Sequence, residues 1–332
     1  MKTKIAYALT SDPSDYYLEQ LILSLYTLRK YNQDAWVTLV VDKETNILLG
    51  GTRSIIKDIV EEFIVVETPQ GYDKKTRSRY IKTTIRKYIK GRYLFIDTDT
   101  IIMSDLSMID GFHNDIMAVL DRHVTISENQ MYFSILKQAK QIGWQISETD
   151  EYFFNSGVML VEDAPIAYTL YEEWHKNWIV SYQKGLNIDQ PALAISNKSL
   201  NYIIKQLPDI WNCQILGNGL RYLNNALILH YFNSNTRSKL KNHPYKLTES
   251  LVFEKLCNNN YIVNDEIASM INNPKSLFSE KYEILSSEAL NSYYKPSVQL
   301  ILYLYSFHPA LFKIVDGFAN TIFRISDFLK NR

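Results

Sequence analysis

Two aspartates, Asp97 and Asp99, stand two positions apart directly after the apolar run of residues 93–96. The run predicts a buried parallel strand, so both aspartates fall at its carboxyl end, where open α/β sheets bind ligands. Neighbouring carboxylates repel each other, and a hard divalent cation that bridges them to phosphate oxygens removes the repulsion. Because Asp-x-Asp also occurs in solvated turns, the motif indicates a metal site only in a suitable context.

A basic helix is predicted directly before this strand, over residues 76–90. Arg79, Lys82 and Arg86 stand at positions i, i+3 and i+7, close to one helical face. Such a face is commonly solvated. A guanidinium also binds phosphate or sugar oxygens through two parallel hydrogen bonds, which a lysine cannot do. The helix therefore presents either a solvated face or an anion-binding one.

Two polar motifs interrupt later elements of the chain. Asn155, Ser156 and Gly157 break an apolar strand, which indicates either a β-bulge or contacts to hydroxyl groups. An asparagine amide both donates and accepts hydrogen bonds, and a glycine permits close backbone approach. Asp189 and Gln190 precede a proline, so they form either a helix N-cap or a further part of a binding site.

The elements around these motifs alternate between strand and helix. Apolar runs predict strands over residues 5–10, 36–41, 64–67, 93–96, 116–120, 153–161 and 226–232. Helices are predicted over residues 15–31, 54–63, 76–90 and 167–182, and from residue 189. The alternation predicts an α/β fold with a mostly parallel, Rossmann-like sheet flanked by helices. It fades after residue 245, so we expect a catalytic domain over 1–245 and a helical subdomain over 246–332.

Composition narrows the classes of function. The chain of 332 residues carries 36 lysines and arginines against 36 aspartates and glutamates, so no nucleic-acid partner is expected. Two cysteines, Cys213 and Cys257, make neither a disulfide scaffold nor a zinc site, and they fit a reducing compartment. The sequence has no signal-peptide pattern and no apolar run of about eighteen residues. These features predict a cytoplasmic protein.

Taken in order, these motifs resemble glycosyltransferase family 8, whose members share the GT-A fold that binds nucleotide-diphospho-sugars. The resemblance rests on four segments and a partial fifth, within residues 4–240: residues 76–82, 94–100, 154–160, 189–193 and 228–232. It implies a metal-dependent glycosyltransferase that moves a hexose, with retention at the anomeric carbon, to a glycan or glycolipid acceptor. The implied donor is UDP-glucose or UDP-galactose.

The resemblance also implies a metal site. Asp97 and Asp99 would bind Mn²⁺ or Mg²⁺ with His230 as third ligand, and a set containing an imidazole suits Mn²⁺ slightly better. The metal would neutralise the diphosphate leaving group. Because His230 ends an apolar strand, it can also be read as a hydrogen-bonded core residue.

Donor-binding roles follow from the same resemblance. Arg79, with Arg77 as its competitor, would contact the donor, and the remaining donor-binding residues would be Ala8, Thr10, Asp97, Thr98, Asn155 and Ser156. Asp189 would hold hydroxyls of the donor sugar, and Gln190 would lie near the anomeric carbon. Retaining hydrolases use a carboxylate nucleophile, whereas this motif offers an amide. A front-face reaction, in which the leaving phosphate deprotonates the acceptor, is therefore preferred.

The sequence departs from the family pattern in two places. Asn233 and Thr236 stand where the family often has a glycine and a lysine that serve the diphosphate, and the nearest cations are Arg237 and Lys239. Residues 8–12, the expected nucleoside segment, match only loosely. The choice of UDP therefore rests on the family alone.

Two other classes of protein remain open from the residues. A haloacid-dehalogenase-like phosphatase also carries Asp-x-Asp after a strand, with the first aspartate, here Asp97, as nucleophile. A glycine would then follow the second aspartate, and this chain has Thr100 there. A catalytically silent sugar-nucleotide-binding protein would keep the sheet but lose a metal ligand.

The C-terminal segment carries an apolar stripe at helical spacing. It consists of Leu311, Ile314, Val315, Phe318, Ile322, Ile325 and Leu329, with polar residues on the opposite face. The helix either packs on the catalytic domain or lies in the plane of a membrane surface. In the second case the protein would contact the inner face of the membrane peripherally. The acceptor-binding loops are expected to include residues 121–150.

Overall fold

The computed structural model describes residues 1–147, 152–232, 245, 247, 250–276, 292–293 and 295–330. Its internal contacts divide the chain into two units, Met1–Glu283 and Ile284–Arg332. The helices over residues 250–271 thus belong to the first unit. That residues 1–245 form a domain by themselves stays a prediction.

The first unit is built on a seven-stranded sheet with the order β3-β2-β1-β4-β7-β6-β8, and a small sheet has the order β5-β10-β9. The strands are β1 (Lys4–Leu9), β2 (Val37–Asp42), β3 (Glu62–Val66), β4 (Tyr93–Ile96), β5 (Thr100–Ile102), β6 (Ile116–Leu120), β7 (Phe154–Val161), β8 (Lys205–Gln206), β9 (Cys213–Gln214) and β10 (Ile228–His230). In the large sheet only β7 runs antiparallel to its neighbours. The predicted α/β class, with a mostly parallel sheet of the GT-A type, is confirmed.

Helices cover both faces of this sheet. They are α1 (Tyr17–Tyr31), α2 (Lys43–Leu48), α3 (Lys74–Thr84), α4 (Tyr132–Ile142), α5 (Pro165–Gln183), α6 (Gln190–Ser199), α7 (Ser250–Asn258) and α8 (Asp265–Ile271). Side chains alternate between the two faces along each strand. In β4, Leu94 and Ile96 therefore join one apolar core, while Tyr93 and Phe95 join the other.

Three predicted elements differ from the structure. The helix expected over residues 54–63 is a 3₁₀ helix, Gly51–Lys57, and the chain enters β3 at Glu62. The basic helix ends at Thr84, and a 3₁₀ turn, Ile85–Lys87, follows it. The last strand keeps only residues 228–230. Apolar spacing alone does not distinguish a short 3₁₀ helix from an α-helix, because both bury residues on one side over a single turn.

The junction between the two sheets positions the aspartate motif. Strand β4 ends at Ile96 and β5 of the small sheet begins at Thr100, so residues 97–99 cross from one sheet to the other. The backbone N–H of Asp97 donates to the Gly157 carbonyl of β7 (2.7 Å), and the Tyr231 N–H donates to the Asp99 carbonyl (3.1 Å). Both ends of the motif are thus fixed by main-chain bonds.

The second unit contains the helices Pro296–Phe307 and Pro309–Lys330. Their large apolar side chains are mostly exposed, with Phe318 and Phe323 each 70% accessible. Within the described ranges, every helix is too short or too polar to span a bilayer.

Candidate functional site

Asp97, Asp99 and His230 form a candidate metal centre. One ligand atom from each residue lies within 4.8 Å of the others, and His230 Nε2 is 3.2 Å from Asp99 Oδ1. Burial would raise the pKa of the Asp99 carboxyl, but His230 and the Lys82 ammonium outweigh burial and hold that pKa below its usual range. The structure therefore brings together the three predicted metal ligands.

A chain of side-chain amides fixes which nitrogen of His230 faces the carboxylates. The Gly157 backbone N–H donates to Asn155 Oδ1 (2.9 Å), and Asn212 Nδ2 donates to the same oxygen (3.0 Å). Asn212 Oδ1 must then face His230 Nδ1 (3.0 Å), so Nδ1 carries the proton. Nε2 is therefore the ring nitrogen that faces the two carboxylates, and a proton or a metal ion on Nε2 would join the ring to Asp99.

Gly157 brings the backbone of β7 directly against this centre. A Cβ at this position would lie 2.4 Å from His230 Cε1 and 2.9 Å from Asp97 Oδ2. The pairing of β7 with β6 also shifts register between Ala118 and Leu120, where residues 155–158 lie on the partner strand. The predicted interruption of the strand is thus a real irregularity, and it carries the closest backbone approach in the site.

Helix α3 supplies cations to the carboxylates. Lys82 Nζ lies 2.9 Å from both Asp97 oxygens, and Arg79 Nε is 3.1 Å from Asp189 Oδ1. Both side chains point inward from the helix, so this face is not the solvated one that a basic run often forms. Arg86 lies apart, buried against Asp163 (2.8 Å). Arg77 instead pairs with Asp42 at the end of β2.

Asp189 precedes α6 but does not cap it. No hydrogen bond joins its side chain to the first turn of the helix. Its carboxylate instead accepts from the Ser156 hydroxyl (2.7 Å) and pairs with Arg79. Burial would raise the pKa of Asp189, yet Arg79, Lys82 and Ser156 outweigh it and lower the pKa from 3.8 to about 2. The geometry therefore disfavours the N-cap interpretation.

Asp121 is a site residue that the sequence analysis did not single out. It follows β6, which runs parallel to β4, so it lies at the same sheet edge as Asp97. Its Oδ1 accepts hydrogen bonds from Asn155 Nδ2 (3.1 Å) and Gln190 Nε2 (3.1 Å). Its Oδ2 accepts from Asn129 Nδ2 (3.2 Å). The signal that pointed to Asp97, an aspartate directly after an apolar strand, was present here too.

A cavity of about 480 Å³ opens beside the candidate metal centre. Its lining contains five of the predicted donor-binding residues, Ala8, Thr10, Arg79, Asp97 and Thr98, and the predicted metal ligand Asp99. It also contains Leu9, Tyr17, Lys74, Lys75 and Ser78, to which no site role was assigned from the sequence. Asn155, Ser156, Asp189 and Gln190 lie outside this lining, on the side of Asp97 that faces β7 and α6. The family positions discussed for residues 233–239 lie outside the described ranges.

The sheet order and the position of the motif at the carboxyl end of β4 are those of the GT-A fold. The sequence profile of glycosyl transferase family 8 matches residues 14–240. The chain belongs to glycosyltransferase family 8, and the resemblance read from its motifs is confirmed. A search among curated proteins found no match.

Solved structures agree with this fold. An active-site mutant of LgtC superimposes with a TM-score of 0.51 at 15% identity, covering 80% of this chain and 98% of that one. The bifunctional glycosyltransferase WbbM superimposes with a TM-score of 0.50 at 16% identity, covering 80% of this chain and 51% of that one. The galactosyltransferase LgtC with donor and acceptor sugar analogs gives 0.49 at 15% identity, covering 80% and 99%. Family membership also selects the transferase interpretation over the phosphatase.

The contact at Gly157 leads to a stability prediction. Gly157→Ala should lower the free energy of unfolding by about 1–3 kcal/mol, because the new methyl group overpacks the space held by His230 and Asp97. Urea unfolding of the purified protein measures the change. Gly111→Ala is the matched control, since nothing lies within 4 Å of a Cβ there. Equal losses in both variants would contradict the proposed crowding.

The low pKa of Asp189 leads to a pH prediction. The folded-state pKa of about 2 lies below the ordinary 3.8, so the ionised carboxylate adds stability above the ordinary value, and that stability is lost as pH falls towards 2. The difference corresponds to about 2 kcal/mol. Urea unfolding between pH 6 and pH 2 should therefore give a flatter profile for Asp189→Asn than for the wild type. If the stability of both proteins fell in parallel with pH, the Asp189 carboxylate would not contribute this stability.

Proposed function

We propose that the protein is a metal-dependent retaining hexosyltransferase that uses a UDP-sugar as donor and a glycan or glycolipid as acceptor. The observation that carries the proposal is the meeting of Asp97, Asp99 and His230, because the two aspartates of this group also line the 480 Å³ cavity. Mn²⁺ or Mg²⁺ bound there would neutralise the diphosphate as it leaves. The oxygen and imidazole ligands suit either ion.

The residues divide the site into two parts. Ala8, Thr10 and Tyr17 line the part of the cavity away from β7, and we assign it to the nucleoside. Asp121 and Asp189 lie on the other side of Asp97, and we assign that side to the donor sugar. Carboxylates and amides held by hydrogen bonds are suited to sugar hydroxyls, because each presents fixed acceptors and donors.

The hydrogen bonding of the sugar side supports a front-face reaction. The Asp189 oxygens are held by Arg79 and Ser156, and the Asp121 oxygens accept from amides, so neither carboxylate is oriented as a free nucleophile. In this reaction the bond from the anomeric carbon to the leaving phosphate breaks while its bond to the acceptor oxygen forms. The acceptor proton passes to the leaving phosphate oxygen. Gln190 would orient the reacting groups through its amide.

The tail supports a second proposal, contact with a membrane surface. Exposed apolar residues such as Phe318, Ile322 and Ile325 cover one side of the helix Pro309–Lys330, and Lys313 and Arg324 are among its polar residues. Such a helix lies in the interface plane with its apolar face in the acyl boundary. This location would place the enzyme at the inner face of the membrane, beside a lipid-linked acceptor.

The metal proposal is tested by Asp99→Asn. The amide keeps the shape of the carboxylate but removes its charge, so Mn²⁺-dependent UDP binding should weaken at least about tenfold. Isothermal titration with Mn²⁺, and again with excess chelator, measures the affinity. Asp105→Asn, at an exposed position, is the matched control. Unchanged UDP affinity in the Asp99 variant or in chelator would refute the metal site.

The reaction proposal is tested by Gln190→Ala. Turnover should fall far more than donor affinity, because Gln190 acts at the reacting centre, and NMR should show an α-linked product from an α-linked donor. The exposed Gln33→Ala serves as control. A β-linked product would rule out retention, and wild-type binding without any turnover would favour the silent sugar-nucleotide-binding protein.

The membrane proposal is tested by Phe318→Asp against Asn320→Asp. Both changes add the same charge to one helix, but only the first places it on the apolar face. Burying a phenylalanine side chain contributes about 1.5–3 kcal/mol, so flotation with anionic liposomes should fall at least about tenfold for Phe318→Asp and little for Asn320→Asp. Binding of the wild type should persist in moderately high salt. Equal flotation of both variants would contradict the proposed face.

A further inference from the structure

The segment after Asp121 has an unusual backbone. Arg122 and His123 have φ values of 56° and 62°, in the left-handed region that non-glycine residues rarely adopt. Two such residues in succession are costly and persist only where surrounding contacts hold them. This turn directly follows the residue whose carboxylate receives hydrogen bonds from Asn155 and Gln190.

Gln214 of the small sheet holds both sides of Asp121. Its side-chain Oε1 accepts from the Arg122 backbone N–H (2.8 Å), and its Nε2 donates to the Leu120 carbonyl (2.9 Å). Gln214 is fully buried, so these bonds do not compete with water. One side chain thus satisfies the backbone groups immediately before and after Asp121.

His123 closes the same turn from its other end. Its Nε2 accepts from the Gln214 backbone N–H (3.2 Å), and its Nδ1 then donates to Asp209 (2.7 Å). Residues 120–123 are therefore tied to β9 by three hydrogen bonds, two through the Gln214 side chain and one through its backbone. Strand β9 pairs in turn with β10, which ends in His230.

We propose that Gln214 is a positioning residue that aims the Asp121 carboxylate at Gln190 and Asn155 by holding the left-handed turn Arg122–His123. The functional consequence of this positioning, correct placement of the donor sugar, rests on the proposed function. Among the described residues, the Gln214 side chain bonds to the backbone on either side of Asp121 and not to its carboxylate, and Gln214 is not part of the cavity lining, so we infer that it acts through the backbone. A displacement of about 1 Å at a reacting group can lower a rate about a hundredfold.

The test compares Gln214→Leu with Asn197→Leu. Asn197 is a matched control, because it is also a buried amide, its Oδ1 accepts from the Ile204 backbone N–H (2.9 Å), and it precedes another left-handed pair, Asn201 and Tyr202. We expect Gln214→Leu to lower kcat for transfer about 10- to 100-fold while UDP affinity changes less than about threefold. Asn197→Leu should leave both nearly unchanged.

Two further variants separate positioning from a general loss of structure. In an Asp121→Asn background, Gln214→Leu should lower kcat no further, because the residue through which it acts is already altered. Adding Arg122→Gly to Gln214→Leu should restore at least part of kcat, since glycine adopts φ near 56° without strain. Additive losses, or no recovery with glycine, would overturn the proposal.

A crystal structure of Gln214→Leu tests the inference without any activity. The distance from Gln190 Nε2 to Asp121 Oδ1, 3.1 Å here, should exceed hydrogen-bonding range, whereas the Asn197→Leu protein should keep it. An unchanged distance would refute the inference even if the enzyme is a transferase. If the wild type transferred sugar from no UDP-sugar, the proposed function would be refuted. The distance measured in the Gln214→Leu crystal structure would still decide whether Gln214 positions Asp121.

Discussion

The mutual repulsion of carboxylates at one sheet edge is the constraint on which the rest of the site depends. Asp97, Asp99, Asp121 and Asp189 approach this edge from β4, β6 and the start of α6. Each has a different compensating partner: Lys82 for Asp97, His230 for Asp99, side-chain amides for Asp121 and Arg79 for Asp189. Helix α3, the irregularity in β7 and the small sheet all bring one of these partners to the edge. The elements around the site therefore hold together four carboxylates that would otherwise repel one another.

The small sheet contributes more than its size indicates. Strand β10 supplies His230, and β9 supplies Gln214, while residues 97–99 lead from the large sheet into β5. The candidate metal ligands and the turn beside Asp121 are thus both held by the small sheet. Gly157 completes this arrangement from the opposite side, because its missing side chain lets β7 approach His230 and Asp97 together.

Much of this arrangement could be predicted from local sequence. Apolar runs located seven of the ten described strands and missed the short β5, β8 and β9. An aspartate pair at the end of one run located the candidate metal centre, because strand polarity fixes where such side chains emerge. The prediction of His230 as a third ligand needed the family resemblance, since nothing local distinguishes a ligand from a core histidine. The support by Gln214 could not be predicted from the sequence. It depends on the left-handed backbone at residues 122–123 and on hydrogen bonds from Gln214 to residues more than ninety positions earlier, and neither leaves a local sequence pattern. The 3₁₀ helix Gly51–Lys57 was misread as an α-helix because apolar spacing over so few residues suits either helix type.

The pairing of Lys82 and Arg79 with the site carboxylates also bears on how a donor arrives. Leaving His230 aside, the four carboxylates and the two fixed cations carry a net charge of about −2, which one divalent ion cancels. An anionic donor would then meet little net charge apart from that of Lys75 in the cavity lining, and the chain as a whole carries no net charge. Capture of the donor would then depend mainly on diffusion and short-range contacts, so its association rate should fall only modestly as ionic strength rises.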